Sequence, residues 1–251
     1  MAKAKGKGKP KEKAKPETKP ETSLVGYGIR TPESVCPQFD SFGRKDPTRT
    51  YRLGLMGGTF DPIHIGHLSC AEQVRAALGL DGVVFIPTGN PVFKRDRQVT
   101  PAQTRLLLCH LACSDNPGFG VSSIEVDRGG NTYTVDTLRQ LRAFYPDNVE
   151  LYFITGADAV LSILKWRDSE SIADLAHLVA VTRPGSEITQ EFKDEMARRT
   201  RFDIHYLEIP ALSISSSMLR RFVVEGKPIR YLVPMGVYNY ITNSGLYLPA
   251  E

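Results

Sequence analysis

The residues best suited to chemistry lie in one string, Met56-Gly57-Gly58-Thr59-Phe60-Asp61-Pro62-Ile63-His64-Ile65-Gly66-His67. The string connects a predicted strand to a predicted helix. Paired glycines let the backbone approach a phosphate closely, and a helix start offers unpaired N–H groups at the positive end of its dipole. Both histidines lie in the first turn, where their rings can direct N–H donors at phosphate oxygens. The string therefore predicts an anion cradle.

Two common phosphate-binding motifs are absent from this string. The dinucleotide motif G-x-G-x-x-G is missing, with no clearly placed acidic residue about 20 positions later. The Gly-Lys-Ser/Thr ending of the Walker loop is missing as well. Two histidines stand where such a lysine would be. An H-x-G-H on its own would fit two capping or core histidines equally well.

A second polar string, Ser213-Ile214-Ser215-Ser216-Ser217-Met218-Leu219-Arg220, lies at another predicted loop-to-helix transition. Serine hydroxyls and helix-start amides suit terminal phosphates, and Arg220 supplies a planar cationic fork one turn into the helix. A serine cap followed by a surface arginine is the structural alternative.

The four cysteines, Cys36, Cys70, Cys109 and Cys113, are too few and too unevenly spaced for the disulfide framework of a small secreted domain. They favour a reducing, cytoplasmic location. Cys109, His110 and Cys113 raise the question of a metal site, but the leucines around them indicate core packing. Because no Asp-x-Asp or similar carboxylate pair lies near the first string either, we expect no metal ligand among the protein side chains.

Short apolar segments alternate with amphipathic ones, a pattern typical of an α/β fold with a Rossmann-like parallel sheet and helices on both faces. Thr100, Pro101 and Gln103 form a predicted capping box. The predicted strands are Tyr51–Met56, Gly82–Pro87, Val121–Val126, Val149–Thr155 and His177–Thr182. The predicted helices are His67–Leu78, Thr100–Ser114, Thr134–Phe144 and Ser217–Glu225.

The chain of 251 residues divides into an extension (1–50) and a domain (51–251). Residues 1–21 hold eight Lys and three Glu, so the net charge of +4 becomes −1 for the rest of the chain. With no Leu, Ile, Val or aromatic residue, this tail is predicted to be disordered. It resembles neither a secretory signal nor a transit peptide. Removing residues 1–45 is expected to leave stability unchanged, and no apolar run approaches the ~20 residues of a membrane helix.

Further motifs follow the first string in order. Their sum resembles the bacterial nicotinate-nucleotide adenylyltransferases, members of the H-x-G-H nucleotidyltransferase superfamily with Rossmann-like folds. The resemblance runs from Tyr51 to the C-terminus and leaves the N-terminal extension without a role. The motifs are Pro87-Thr88-Gly89-Asn90-Pro91 leading to Lys94, Thr132-Tyr133-Thr134, Gly156-Ala157-Asp158, Trp166, Arg183-Pro184-Gly185, Ile214-Ser215-Ser216-Ser217 and the closing residues 240–247.

The resemblance implies adenylyl transfer from ATP to nicotinate mononucleotide, a step of NAD biosynthesis that releases pyrophosphate. His67 would contact the α-phosphate and His64 the β- and γ-phosphates, with Mg²⁺ held mainly by the ATP phosphates and water. The implied catalytic residues are His64, His67 and Arg220. The implied ATP-binding residues are Gly57, Gly58, Thr59, Phe60, His64, His67, Gly156, Asp158, Arg183, Ser215, Ser216 and Arg220.

For the acceptor mononucleotide, the resemblance implies contacts from Asn90, Lys94, Thr132, Tyr133 and Trp166. Trp166 would stack on the pyridine ring, and Thr132 and Tyr133 would recognise the carboxylate. Core packing is the alternative for Trp166, and a solvated basic loop is the alternative for Lys94. Asp158 would meet the ribose or cap a helix, and Arg183 would lie near the adenine.

Other functions compete with this one. Pantetheine-phosphate adenylyltransferases and cytidylyltransferases share the cradle, but are not expected to carry Trp166 or Arg183-Pro184-Gly185. Class I aminoacyl-tRNA synthetases share H-x-G-H, but about 200 folded residues leave no room for tRNA-binding domains. A non-catalytic nucleotide sensor, bound to nucleic acid through the Lys-rich tail, is the remaining alternative. The sequence leaves the oligomeric state open.

Overall fold

Six parallel strands form one sheet in the order β3-β2-β1-β4-β5-β6. A computed structural model describes residues 32–90, 99–182, 188–210 and 212–249. The strand order reverses between β1 and β4, and in such sheets ligands bind at this point, outside the carboxyl ends of the strands. The strands are β1 (Tyr51–Gly58), β2 (Gly82–Pro87), β3 (Phe119–Val121), β4 (Val149–Gly156), β5 (His177–Thr182) and β6 (Ile204–Glu208).

Helices cover both faces of the sheet because strand side chains alternate between two cores. Leu53 and Leu55 of β1 pack on the face of α4 and α6, whereas Met56 packs on the face of α1, α2, α8 and α9. No helix of the described part is both long and apolar enough to cross a bilayer. The helices are α1 (Ile65–Leu78), α2 (Ala102–Cys113), α3 (Ile124–Arg128), α4 (Thr134–Phe144), α5 (Ala157–Leu161), α6 (Ser169–Leu175), α7 (Gln190–Arg199), α8 (Ser216–Val224) and α9 (Met235–Ser244), with a 3₁₀ turn at Ile163–Lys165.

The predicted fold class is confirmed, and two local predictions are wrong. The predicted strand Val121–Val126 ends at Val121, and α3 follows, because the Ser122 hydroxyl accepts a hydrogen bond from the Ile124 N–H and turns the chain. The predicted capping box at Thr100 does not form. Pro101 is the N-cap of α2, and the Thr100 carbonyl instead accepts a hydrogen bond from Arg105 Nε at 2.8 Å.

The amino-terminal segment, residues 34–49, packs on the domain. Val35, Cys36 and Phe39 are buried in the core beside α4, and Arg44 donates to the Phe144 carbonyl. The expectation that residues 1–45 have little with which to pack is therefore wrong for this segment. Position 51 marks the start of the sheet rather than of everything that packs against it. The tail predicted to be disordered lies outside the described residues.

The cysteines of the described structure are free thiols. Cys109 and Cys113 lie on the buried face of α2, where burial raises the pKa of Cys109 well above its ordinary value and that of Cys113 to about 12. Because a thiol must lose its proton to bind a metal, this environment favours their core role.

Candidate active site

A cavity of about 410 Å³ opens at the carboxyl edge of the sheet, between β1 and β4. This is the place where the strand order predicts a ligand. Both polar strings contribute to it, although about 150 residues separate them in the sequence. The predicted site residues in its lining are Gly57, Gly58, Phe60, His64, His67, Gly156, Ser215 and Ser216.

The two histidines are stacked, with ring centroids 3.7 Å apart and planes inclined by 23°. His64 is the N-cap of α1 and is only 5% exposed, while His67 is half-buried. A Cβ at Gly66 would lie 3.1 Å from His64 Nδ1, tighter than side chains normally tolerate. Glycine between the histidines is therefore what allows both rings to line the cavity.

A backbone hydrogen bond fixes the tautomer of His67. Its Nδ1 accepts from the His64 N–H at 3.2 Å, so in the neutral ring the proton is on Nε2. The edge of the ring packs against Phe60, with centroids 5.0 Å apart. His67 is therefore held in one orientation, with Nε2–H as the donor of its neutral ring.

The start of α1 offers fewer free amides than the sequence predicts. The Ile65 N–H donates to the Leu232 carbonyl at 3.1 Å, and the His67 N–H donates to the His64 carbonyl at 2.9 Å. These two groups are occupied within the protein. These two amides are therefore not available to a ligand, whereas both imidazoles line the cavity.

The serines of the second string differ in the hydrogen bonds that they make. Ser215 is the N-cap of α8, and its oxygen accepts from the Met218 N–H at 3.2 Å, so its own O–H remains available. Ser216 instead donates its O–H to the Pro62 carbonyl at 2.8 Å. Ser215 therefore keeps its hydroxyl proton for a ligand, while Ser216 joins the two strings.

Arg220 lies behind the cradle and is not part of the cavity lining. Its guanidinium donates to the Asp61 carbonyl at 2.6 Å and to Ser217 Oγ at 3.1 Å, with Asp61 Oδ2 at 3.8 Å. These bonds use two of its five N–H donors. Arg220 therefore holds the cradle loop from the second string.

Asp61 is a functional position for which the sequence offered no specific role. Its side chain is 1% exposed and accepts a hydrogen bond from the Tyr247 hydroxyl at 2.9 Å. Burial and the nearby carboxylate raise the pKa of Tyr247, which keeps the hydroxyl protonated as a donor. Tyr247 lies within the closing motif, but nothing in the sequence pairs it with Asp61. The C-terminal residues thus secure the centre of the cradle.

Arg105 is a second residue that sequence reasoning missed. It is 1% exposed and donates to three backbone carbonyls, those of Thr100, Thr59 and Gly89. Thr59 lies in the loop after β1 and Gly89 in the loop after β2. The bond from Arg105 therefore fixes the position of Thr59, one of the predicted ATP-binding residues. In sequence, Arg105 resembles any polar position of an amphipathic helix.

The predicted acceptor-side loops lie against each other. Asn90 is exposed and forms a parallel bridge with Asn131, and the Asn90 N–H donates to Thr132 Oγ1 at 3.4 Å. A Cβ at Gly89 would overlap the Glu125 carbonyl oxygen, so only glycine fits there. The structure therefore brings Asn90 and Thr132 together.

Glu125 lies beneath these loops, buried except for 6% of its surface. Its Oε1 accepts from the Thr137 hydroxyl at 2.7 Å, and burial raises its pKa to about 7. Arg128 also contacts Thr137, with Nη2 at 2.9 Å from the hydroxyl. This buried polar group secures the start of α4, directly after Thr132.

Two aromatic side chains complete this side. Tyr133 is the N-cap of α4, and the guanidinium of Arg167 lies 4.5 Å from the centre of its ring. Trp166 is half-buried and packs edge-on against Phe153 of β4, with centroids 6.1 Å apart. A Cβ at Gly57 would be 3.5 Å from the same Phe153. Trp166 is therefore one side chain removed from the cradle.

Asp158 is exposed in the first turn of α5, two residues after Gly156, which lines the cavity. Gly156, not Asp158, is the N-cap of that helix, which contradicts the capping alternative. A Cβ at Gly156 would lie 2.5 Å from Asp158 Oδ1, so the missing side chain makes room for the carboxylate. The two remaining predicted residues, Lys94 and Arg183, lie outside the described residues.

Residues 55–222 match the family described as Cytidylyltransferase-like. Two relatives are both named "Probable nicotinate-nucleotide adenylyltransferase". The protein from Moorella thermoacetica is 47% identical, over 80% of this chain and 94% of the relative. The protein from Streptomyces coelicolor is 52% identical, over 76% of this chain and 98% of the relative.

A solved structure shares the fold. It is the nicotinic acid mononucleotide adenylyltransferase of Plasmodium falciparum complexed with NaAD, with a TM-score of 0.63 and 19% identity. The match covers 78% of this chain and 97% of that one. Because the family model spans residues 55–222 and the relatives are near 50% identical over most of the chain, the chain belongs to the cytidylyltransferase-like family and, within it, to the nicotinate-nucleotide adenylyltransferases.

Proposed function

We propose that the chain transfers the adenylyl group of ATP to nicotinate mononucleotide, giving nicotinic acid adenine dinucleotide and pyrophosphate. The observation that carries this proposal is the convergence of His64, His67 and Ser215 on one cavity at the switch point of the sheet. The names of the relatives favour this acceptor over phosphopantetheine or cytidine nucleotides, and the described structure offers no feature specific to a non-catalytic sensor.

The acceptor phosphate is itself the nucleophile. One of its oxygens attacks the α-phosphorus of ATP, a new P–O bond forms, and the bond from the α-phosphorus to the bridging oxygen breaks. Because the attacking group is already an anion, no general base is needed, and alignment with charge stabilisation accounts for the rate. His67 supports this by directing Nε2–H at the α-phosphate, while His64 contacts the β- and γ-phosphates.

The leaving pyrophosphate is proposed to lie at the start of α8. Ser215 provides a free hydroxyl proton there, and the first amides of the helix are at the positive end of its dipole. Ser216 would contribute its backbone N–H, since its hydroxyl is bonded to Pro62. Arg220 has three N–H donors beyond its two described bonds, and we propose that these reach the pyrophosphate as it leaves.

Nucleoside and acceptor contacts follow from position. Asp158, whose carboxylate lies next to Gly156, is proposed to accept hydrogen bonds from the ribose hydroxyls. Arg183 is proposed to lie near the adenine. Trp166 is proposed to stack on the pyridine ring. The remaining acceptor contacts are assigned to Asn90, Lys94, Thr132 and Tyr133.

Mg²⁺ fits this site as a partner of the triphosphate rather than of the protein. The described cavity lining contains no Asp or Glu, and Mg²⁺ prefers oxygen ligands and retains waters. We therefore propose that the ATP phosphates and water hold the ion, where it neutralises phosphate charge. The side-chain contacts that we propose for the triphosphate come from histidine, serine and arginine.

We also propose that the protein is cytoplasmic. Its cysteines in the described structure are free, and three of the four are buried. Free thiols are the usual state in a reducing compartment.

The reaction is tested by incubating the purified full chain with ATP and Mg²⁺ and one acceptor at a time, following pyrophosphate release and product mass. The acceptors are nicotinate mononucleotide, nicotinamide mononucleotide and phosphopantetheine, with CTP replacing ATP in a parallel set. We expect turnover of nicotinate mononucleotide and none of phosphopantetheine. Turnover of phosphopantetheine alone would refute the proposal.

A further inference from the structure

Three side chains outside the cavity form a cluster of metal-ligating type: His177, Asp203 and His205. Their nearest ligand atoms all lie within 4.8 Å of one another. His177 Nδ1 is 2.6 Å from Asp203 Oδ2, and His205 Nε2 is 3.5 Å from the same oxygen. Neither the proposed reaction nor the comparisons assign these residues a role.

The sheet places the cluster by register. His177 is the first residue of β5, and His205 lies in β6 opposite Val179, two residues along. Because side chains alternate, His177, Val179 and His205 share one face. The Leu178 N–H donates to the Asp203 carbonyl at 2.8 Å, which fixes the turn into β6. Backbone pairing therefore sets the spacing of the three side chains.

One aromatic ring packs against both imidazoles. Tyr152 of β4 stacks on His177, with centroids 4.6 Å apart, and lies 5.6 Å from the His205 ring. Its hydroxyl donates to Glu150 at 3.0 Å, and Arg52 lies 3.4 Å from the same carboxylate. Tyr152 thus packs against both rings, while the Asp203 side chain is mostly exposed.

One atom of the cluster needs a partner. His205 Nε2 is buried, and within the described structure no hydrogen bond reaches it. Buried ring nitrogens are normally bonded, so one without a partner requires an explanation. A cation beside Asp203 Oδ2 would supply the missing interaction to His205 Nε2.

We propose that His177 Nδ1, Asp203 Oδ2 and His205 Nε2 bind a divalent cation of the zinc class, with water in the fourth position. Two imidazoles and one carboxylate suit zinc, whose ligand distances of about 2.0–2.2 Å place tetrahedral ligands about 3.3 Å apart. The His205–Asp203 separation of 3.5 Å already matches. The His177–Asp203 pair must open by about 0.7 Å. The Asp203 side chain is 61% exposed and can make that movement.

The site is structural rather than catalytic. It lies at the amino ends of β5 and β6, about 13 Å along β5 from Val181, which lines the cavity. β6 is an edge strand, and the residues after it, Ile209 and Pro210, form one wall of the cavity. A bound cation joins the starts of the two strands and so stabilises the edge of the sheet that carries this wall.

The test is the melting temperature of the nucleotide-free full chain with Zn²⁺ alone, compared with Mg²⁺ alone. At Zn²⁺ 100-fold above Kd, we expect a rise of roughly 5–10 °C, and no rise with Mg²⁺ at the same concentration. The Zn²⁺-induced shift should be lost in His205→Gln and in Asp203→Asn. Comparing the shift within each variant removes any effect of the substitution on the fold itself.

His110→Gln is the matched control, because His110 is exposed and outside the cluster. It should keep the full shift, and isothermal titration should show one Zn²⁺ fewer in His205→Gln than in the control. Adenylyl transfer by His205→Gln should stay within twofold of wild type. A shift that persists in His205→Gln, an equal shift with Mg²⁺, or no shift at all would overturn the proposal.

Discussion

The proposed ATP side and the proposed acceptor side of the site are held in different ways. On the ATP side, the cradle loop is secured by Ser216, Arg220 and Tyr247, which lie more than 150 residues away in sequence. On the acceptor side, the loop at Asn90 rests on the loop at Thr132, with long hydrogen bonds of 3.4 Å. The first side is fixed by distant chain segments and the second by one loop on another.

This difference matches the chemistry required of each side. Phosphoryl transfer needs donors held in position before the substrate arrives, which many long-range bonds provide. Recognition of one acceptor among similar molecules depends instead on a few polar contacts in the loops. Arg105 is the residue that connects the two, through Thr59 on one side and Gly89 on the other.

The connection is broken most directly by Arg105→Met. Three carbonyls lose a charged donor, so we expect the free energy of unfolding to fall by about 3–5 kcal/mol and activity to fall on both sides of the site. Urea titration measures the first effect. Arg221→Met is the control, because Arg221 is exposed and its loss should change stability by less than about 0.5 kcal/mol. Equal small effects would show that Arg105 does not join the loops.

His67→Ala tests the ATP side alone. We expect kcat to fall by more than ~100-fold with the fold intact, since a preorganised donor to developing charge contributes about that factor. Steady-state kinetics and circular dichroism measure the two properties. His110→Ala should leave both unchanged. A near-normal rate in His67→Ala would assign this ring to packing.

Glu125→Gln tests the acceptor side through pH. The pKa of Glu125 in the folded protein is about 7, above its ordinary value of 4.5, so the folded state favours the neutral carboxyl. Below pH 4.5 the protonated carboxyl makes its full contribution to the free energy of unfolding. As the pH rises through 7, the free energy of unfolding falls by up to about 3 kcal/mol, because the buried carboxyl must then ionise. Glu125→Gln should remove this loss, seen as a smaller fall in melting temperature between pH 5 and pH 8. Glu170→Gln, at an exposed position, should keep the wild-type slope.

The amino-terminal segment supports the acceptor side from behind, in the same core as α4. Deleting residues 1–45 removes buried Phe39, so we expect the melting temperature to fall by about 5 °C or more. Deleting residues 1–21 is the control, because that stretch has no apolar side chain larger than Ala apart from Met1 and Pro. This shorter deletion should change the melting temperature by less than about 1 °C. Equal melting temperatures for the two deletions would contradict the packing described.

The smallest effect concerns the choice between nicotinate and nicotinamide. Trp166→Ala should raise KM for both mononucleotides by a similar factor, because stacking does not distinguish acid from amide. Thr132→Ala should lower the ratio of kcat/KM for nicotinate mononucleotide to that for nicotinamide mononucleotide by roughly fivefold or more. Hydrogen-bond donors that face a carboxylate are left unpaired when they face the NH₂ of an amide, so losing such a donor reduces the preference for the acid. Selectivity lost in Trp166→Ala and kept in Thr132→Ala would reverse these roles.

Local patterns account for what the sequence predicts well. The helix α4 has the same ends in the prediction and in the structure, and the need for Gly66 between two histidines follows from sterics within four residues. The failures are of two kinds. α3 and β6 are short and half-buried, so their periodicity is weak. Long-range pairs are the second kind, because the Ser216 hydroxyl bonds the Pro62 carbonyl, a partner 154 residues away that no local pattern indicates.

The sequence does not predict long-range polar pairs, because their partners lie far apart in the chain. Arg105 is one arginine on an amphipathic helix, and its burial depends on carbonyls of two loops that only the folded sheet brings together. Nothing near Asp61 in sequence indicates a tyrosine 186 residues later. Sequence therefore predicts which residues line the cavity better than which residues hold them there.

The bond from Tyr247 to Asp61 also sets an order in time. A chain made from its amino end presents the cradle loop early, long before residue 247 leaves the ribosome. Until then Asp61 lacks its phenol partner, and the contact that closes it spans 186 positions. The nucleotide site is therefore completed late in synthesis. A change in the residues around Tyr247 alters that site directly, although they lie far from Gly57 in sequence.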